Sequence, residues 1–85
     1  MKIEKKTSPP FFQQILDGEK TFEVRLDDFE CKLGNILVLK EVDNNGKYTG
    51  RIIEKKIKYV LKTKDLKFFS EEDVNKYGFQ VMGFE

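Results

Sequence analysis

Close to residue 19 the hydrophobic pattern of this chain changes period, and that change limits what the chain can fold into. Before it, Phe11 with Ile15 and Phe12 with Leu16 are spaced four apart, which puts apolar side chains on one face of a helix. After it, Phe22, Val24 and Leu26 alternate with Thr21, Glu23 and Arg25, the period of a strand. The spacing predicts a helix over Phe11–Asp17. Ser8 is placed to cap it, Pro9 suits its first turn, and Gly18 suits the left-handed residue after its last turn. A strand over Lys20–Leu26 should follow at once.

The rest of the chain reads mostly as strand. Ile36–Leu39 is an unbroken apolar run, as in a strand covered on both faces. Asp43-Asn44-Asn45-Gly46 is a hairpin turn, because Asn and Gly tolerate positive φ. The next strand should run from Tyr48 to about Leu61, with Ile53, Ile57, Tyr59 and Leu61 on one face. Lys55 interrupts that row, the mark of a bulge or of a barrel mouth. Ser70-Glu71-Glu72-Asp73 starts a short helix with acidic residues at its dipole-positive end, Phe69 and Val74 are spaced as a hydrophobic staple, and Gly78 stops the helix. Phe79–Phe84 reads as a last strand, and the region of Ile3 as a weak first one. The expected fold is α+β and mostly β: a mixed or antiparallel barrel of five to six strands with one or two short helices. Its core should hold Phe12, Leu16, Phe22, Val24, Ile36, Val38, Ile57 and Val81. Closing the sheet on itself hides the edges that so short a chain cannot otherwise cover.

At 85 residues the chain suffices for one domain, 1–85, and not for two. Its 16 basic and 15 acidic groups nearly cancel, which argues against disorder driven by charge. One cysteine, Cys31, excludes an internal disulfide and fits a reducing compartment. With no apolar run of membrane length and no secretory signal, the expectation is a cytoplasmic monomer with no membrane contact. The charges are not evenly spread. Residues 51–67 carry seven basic groups, Arg51, Lys55, Lys56 and Lys58 among them, against Glu54 and Asp65. Such a segment suits a phosphate-facing surface, and it equally suits a strand kept soluble by lysine.

Most catalytic classes can be set aside. The chain has no His, which removes histidine acid–base chemistry and His-ligated metals. Its glycines are too scattered for a phosphate loop, and no metal or cofactor site is expected. What remains is the junction Gly18-Glu19-Lys20-Thr21-Phe22-Glu23-Val24-Arg25. Alternation puts Thr21, Glu23 and Arg25 on the face opposite Phe22 and Val24, with Lys20 at the handover from helix to strand. Buried, these charges would form an ion pair of little net worth. Half exposed in a cleft, Lys20 and Arg25 would offer donors to a phosphate or carboxylate while Glu23 holds them in place.

The same residues, Gly18-x-Lys20-x-x-Glu23-x-Arg25, resemble the G-x-K-x-x-E-x-R signature of ASCH domains, a branch of the PUA-like superfamily. Four fixed residues at that spacing turn up by chance in on the order of one chain in a thousand of this length. The likeness extends over Phe12–Arg25, Lys32–Leu39, Gly46-x-Tyr48-Thr49-Gly50-Arg51 and Gly78–Val81, where the chain is similar to the small DUF3850 family of bacteria and phages. It departs from that family at Ile3, where a His is usual, and at Gly34-Asn35, where Gly-Asp is usual.

The resemblance implies RNA or a nucleotide as ligand, bound beside the signature by Lys20, Thr21, Glu23 and Arg25, with Arg51, Lys55, Lys56 and Lys58 extending the positive surface. Some small relatives are amidohydrolases that deacylate a modified cytidine with a Lys, a Thr and a Glu. Here Lys20 is retained, while Glu23 occupies the place of the Thr, two residues before the motif Arg. As an enzyme the chain would use Lys20 as base and Glu23 as polarising group. A protein-interaction module whose cleft receives an acidic partner segment is the third reading.

Overall fold

A computed structural model describes residues 1–84. They form a small α+β structure: β1 (Lys2–Thr7), α1 (Phe11–Leu16), β2 (Ile36–Val42), β3 (Tyr48–Lys56), a 3₁₀ turn (Thr63–Asp65) and α2 (Glu71–Tyr77). The sheet has the order β1-β2-β3, with β1 parallel and β3 antiparallel to β2. A two-residue hairpin cannot join parallel strands, so the chain crosses back over the sheet between Thr7 and Ile36, and α1 lies in that crossover.

α1 covers one face of the sheet. Ile15 packs on Leu37 and Leu39, with Ile3, Ile53 and Ile57 partly buried around them. Phe12 is buried completely, at 1% exposure. The buried stripe of the helix is therefore Phe12 and Ile15, three apart, while Phe11 and Leu16 are about half exposed. On the other face Val38 is buried beneath ion pairs that run diagonally across the strands: Lys40 with Glu4 at 3.2 Å and Lys2 with Glu54 at 3.3 Å. Among the described residues no helix is long and apolar enough to cross a membrane.

The turns follow local chemistry. Asp43 Oδ1 accepts from the amides of Asn45 and Lys47, both at 2.9 Å, and so closes the β2–β3 hairpin. Ser70 Oγ accepts from the Asp73 amide at 3.1 Å and caps α2, which Gly78 ends at φ 69°. The expected Ser8 cap of α1 is replaced: Pro10 is the cap residue, and Ser8 contributes its carbonyl, which accepts from Phe11 at 3.0 Å.

Three corrections concern the sheet. It has three strands among the described residues and is open, where a barrel of five or six was expected. Residues 20–26 and 79–84 lie outside the strands. Of the expected core, Phe12 and Val38 are buried and Ile36 and Ile57 half-buried, whereas Leu16, Phe22, Val24 and Val81 are exposed. Side chains fasten segment 20–26 in place of a strand ladder. Arg25 Nη2 donates to the Lys6 carbonyl at 2.6 Å, and Lys20 Nζ to the Phe22 carbonyl at 2.8 Å. The contact of segment 20–26 with β1 runs through a side chain and not through a backbone ladder. The bulge also moves: four steps along β3 match two along β2 between Tyr48 and Ile52, around Gly50 at φ 93°, while Lys55 pairs with Leu37 in regular register. β3 then ends at Lys56, leaving Tyr59 and Leu61 exposed.

The crossover is tied down at a second point, where Lys62 Nζ meets Asp27 Oδ1 at 2.7 Å. That hydrogen bond raises the Lys62 pKa above the ordinary value.

Truncating Phe12 to Ala should cost about 3–5 kcal/mol of unfolding free energy in urea denaturation. Leu16→Ala should stay within about 1 kcal/mol, since half of that side chain is already in water.

Candidate functional site

A cleft of about 710 Å³ opens between the end of β1, the outer side of α1 and the extended segment 22–25. The backbone at the end of α1 aims Lys20 into it. Gly18, at φ 80°, turns the chain, and the Glu19 and Lys20 amides both donate to the Gln14 carbonyl, at 2.9 and 3.0 Å. Lys20 thereby stands beside α1 with its ammonium 5.6 Å from the Phe11 ring centre and 5.0 Å from that of Phe22.

Glu23 organises the charges. Its Oε1 accepts from Lys20 Nζ at 2.9 Å and its Oε2 from Arg25 Nε at 2.8 Å, one cation per oxygen. The three side chains are 16% (Lys20), 18% (Glu23) and 31% (Arg25) exposed, so the cluster is partly sheltered without being sealed. Lys20 also donates to the Phe22 carbonyl, and Arg25 to that of Lys6, which leaves one N–H of Lys20 and the Nη1 group of Arg25 without a partner among the described residues. Glu19 also lines the cleft, and Lys6 reaches it with the carbonyl that Arg25 holds. Lys20 and Arg25 balance Glu19 and Glu23, because the Lys6 ammonium lies outside the cleft, 5.7 Å from the Tyr48 ring centre. Phe11, Phe22 and Val24 supply apolar lining. The arrangement suits a flat apolar group that carries hydrogen-bond acceptors.

Lys20, Glu23 and Arg25 therefore converge as the sequence predicts. Thr21 does not join them. It is exposed, outside the cleft lining, and lies against the backbone of Gly83, where an added Cβ would come within 3.2 Å of Thr21 Oγ1 and 3.0 Å of Phe22. Segment 20–26 makes no regular ladder, so the alternation that placed Thr21 beside Glu23 does not hold there, and Phe22, Glu23, Val24 and Arg25 all reach the cleft.

The basic residues of 51–58 take other places. Arg51 Nε pairs with Glu41 Oε1 at 3.2 Å, its Nη2 donates to Gln13 at 2.7 Å, and its guanidinium lies 4.8 Å from the Phe12 ring centre. Lys55 pairs with Leu37 and Lys56 with Ile36, so the two point to opposite faces of the sheet. They are level with the start of β1, whereas the cleft lies at its end, about 16 Å away along the strand. Lys58 is exposed beyond β3. None of the three lysines lines the cleft, and the position of Lys55 and Lys56 on an edge strand fits the solubility reading.

Sequence reasoning missed Lys6, Thr7, Phe11, Gln14 and Glu19 as cleft residues. The available signal was the strand–helix–strand order, which calls for a crossover and so sets the end of the first strand beside the helix. Among the described residues no group of three or more His, Cys, Asp or Glu could hold a metal ion.

A family model described as "Domain of unknown function (DUF3850)" matches residues 3–84. No curated protein matches the chain. No solved structure does either.

Replacing Glu23 by Gln leaves two sheltered cations without their shared counter-charge. Urea denaturation should show a loss of about 1–3 kcal/mol, the scale of hydrogen bonds to charged groups.

Proposed function

The chain belongs to the DUF3850 family, and from that premise we propose that it is an ASCH-type, PUA-like binding module whose cleft takes RNA or a nucleotide. The observation that carries the reading is the joint grip of Glu23 on Lys20 and Arg25 at the mouth of an open, aromatic-lined cleft. Glu23 holds both cations in place before a ligand arrives, so less side-chain freedom is lost on binding. The Arg25 Nη1 group and the remaining Lys20 N–H supply donors for oxyanions. Phe11 and Phe22 supply faces on which a base can stack, an interaction available to every base. The volume lies within the range of pockets that hold small organic ligands.

The amidohydrolase reading has less support from the cleft. Lys20 already donates to two acceptors, and Glu23 occupies the position at which the resembling enzymes carry a hydroxyl.

A thermal-shift screen against nucleotides, acylated nucleosides and short RNAs should raise the melting temperature with an RNA or nucleotide. Arg25→Lys should weaken that ligand about tenfold with the fold retained, because a planar forked donor becomes a point charge. No shift with any RNA or nucleotide would refute the binding reading. Turnover of an acylated cytidine that disappears in Lys20→Ala would put the hydrolase in its place.

A further inference from the structure

The cleft contains a hydroxyl that the reading above leaves unused. Thr7, the last residue of β1, is 3% exposed and still lines the cleft. Its Oγ1 lies 3.5 Å from Arg25 Nη2, at the limit of a hydrogen bond, while that nitrogen makes its short bond of 2.6 Å to the Lys6 carbonyl. Among the described residues nothing accepts the Thr7 hydroxyl proton. The nearby carboxylates are engaged elsewhere. Glu41, paired with Thr7 across β1 and β2, accepts from Thr49 and Arg51, and Glu23 accepts from Lys20 and Arg25. A sheltered donor without an acceptor is unfavourable, and a ligand oxygen would satisfy it.

The unused groups nearby are of one kind. The Thr7 O–H, the Arg25 Nη1 group and the third Lys20 N–H are all donors, so they select a ligand that only accepts. The net charge selects further. Lys20 and Arg25 are matched by Glu19 and Glu23, so the spare donors suit an anion of low charge such as one phosphodiester. A free triphosphate brings several more negative charges, which would face Glu19 and Glu23. A phosphodiester also carries a base on either side for the Phe11 and Phe22 rings.

Resting on the binding reading above, we infer that the cleft takes one phosphodiester-linked nucleotide of single-stranded RNA, with Thr7 donating its hydroxyl to that ligand.

Fluorescence anisotropy with a fluorescein-labelled RNA pentanucleotide, titrated over a range of KCl, tests this. One phosphate contact on a single strand predicts a slope of about −0.7 for log affinity against log salt. ATP should compete at least about tenfold more weakly than the unlabelled pentanucleotide, because of its surplus charge. Thr7→Val, which keeps the side-chain shape, should bind about tenfold more weakly, and Thr7→Ser should restore binding. Unchanged affinity in a folded Thr7→Val overturns the role of Thr7. A slope steeper than about −2, or ATP competing as well as RNA, overturns the single-phosphodiester ligand while nucleic-acid or nucleotide binding stands. If Thr7→Val does not fold, the salt slope and the ATP competition on the unmodified chain decide. Failure of both RNA and ATP to bind the unmodified chain removes this inference together with the reading beneath it.

Discussion

Parallel pairing of β1 with β2 is the constraint from which the rest of the architecture follows. It obliges residues 8–35 to return over the sheet, and it is this return that brings α1 down on Leu37 and Leu39 through Ile15. The same passage sets Lys20 and segment 22–25 against the end of β1. With an antiparallel hairpin in its place, the helix and the signature residues would have no reason to meet Lys6 and Thr7. The cleft is thus a product of topology before it is a product of side chains.

Side chains then decide how the crossover is fastened. Segment 20–26 has the alternating pattern of a strand, yet its contact with β1 runs through Arg25 to the Lys6 carbonyl. Such a bond is directional and charge-assisted, and it satisfies one edge carbonyl without committing neighbouring amides to a ladder. The consequence is a wall that remains open. Val24 and Leu26 stay in water, and Phe22 and Glu23 reach the same space although they are adjacent in sequence. A ladder would have sent them to opposite faces.

What could be read from the sequence was whatever depends on local chemistry. Asp43-Asn44-Asn45-Gly46 specifies its own turn through the Asp43 carboxylate, and Ser70 with Gly78 specifies the limits of α2. The convergence of Lys20, Glu23 and Arg25 was legible because they sit within six residues, with Gly18 turning the chain before them. Non-local features were hidden. Nothing in Ile3-Glu4-Lys5-Lys6-Thr7 announces a strand whose last residue lies under the signature, because only its register with β2 puts Thr7 there. The interruption at Lys55 was legible, but its meaning was not. The irregularity lies at Gly50, where positive φ lets β3 take up its extra residues, and it seats Arg51 on Glu41 and Phe12.

The expected barrel and the open sheet differ at one identifiable seam. Segments 20–26 and 79–84 approach each other at Gly83, where a Cβ would press on Thr21 and Phe22, so the two run close without forming strands. Both carry alternating apolar residues, and in both those residues are exposed: Val24 and Leu26 on one side, Val81 on the other. A compact chain of this length would have a radius of gyration of about 12 Å. The observed value is 14.5 Å. At its other side segment 20–26 meets β1 at the Lys6 carbonyl, the group that Arg25 holds. The guanidinium that shapes the cleft thus also ties segment 20–26 to the β1 edge, and one side chain joins the fold to the site.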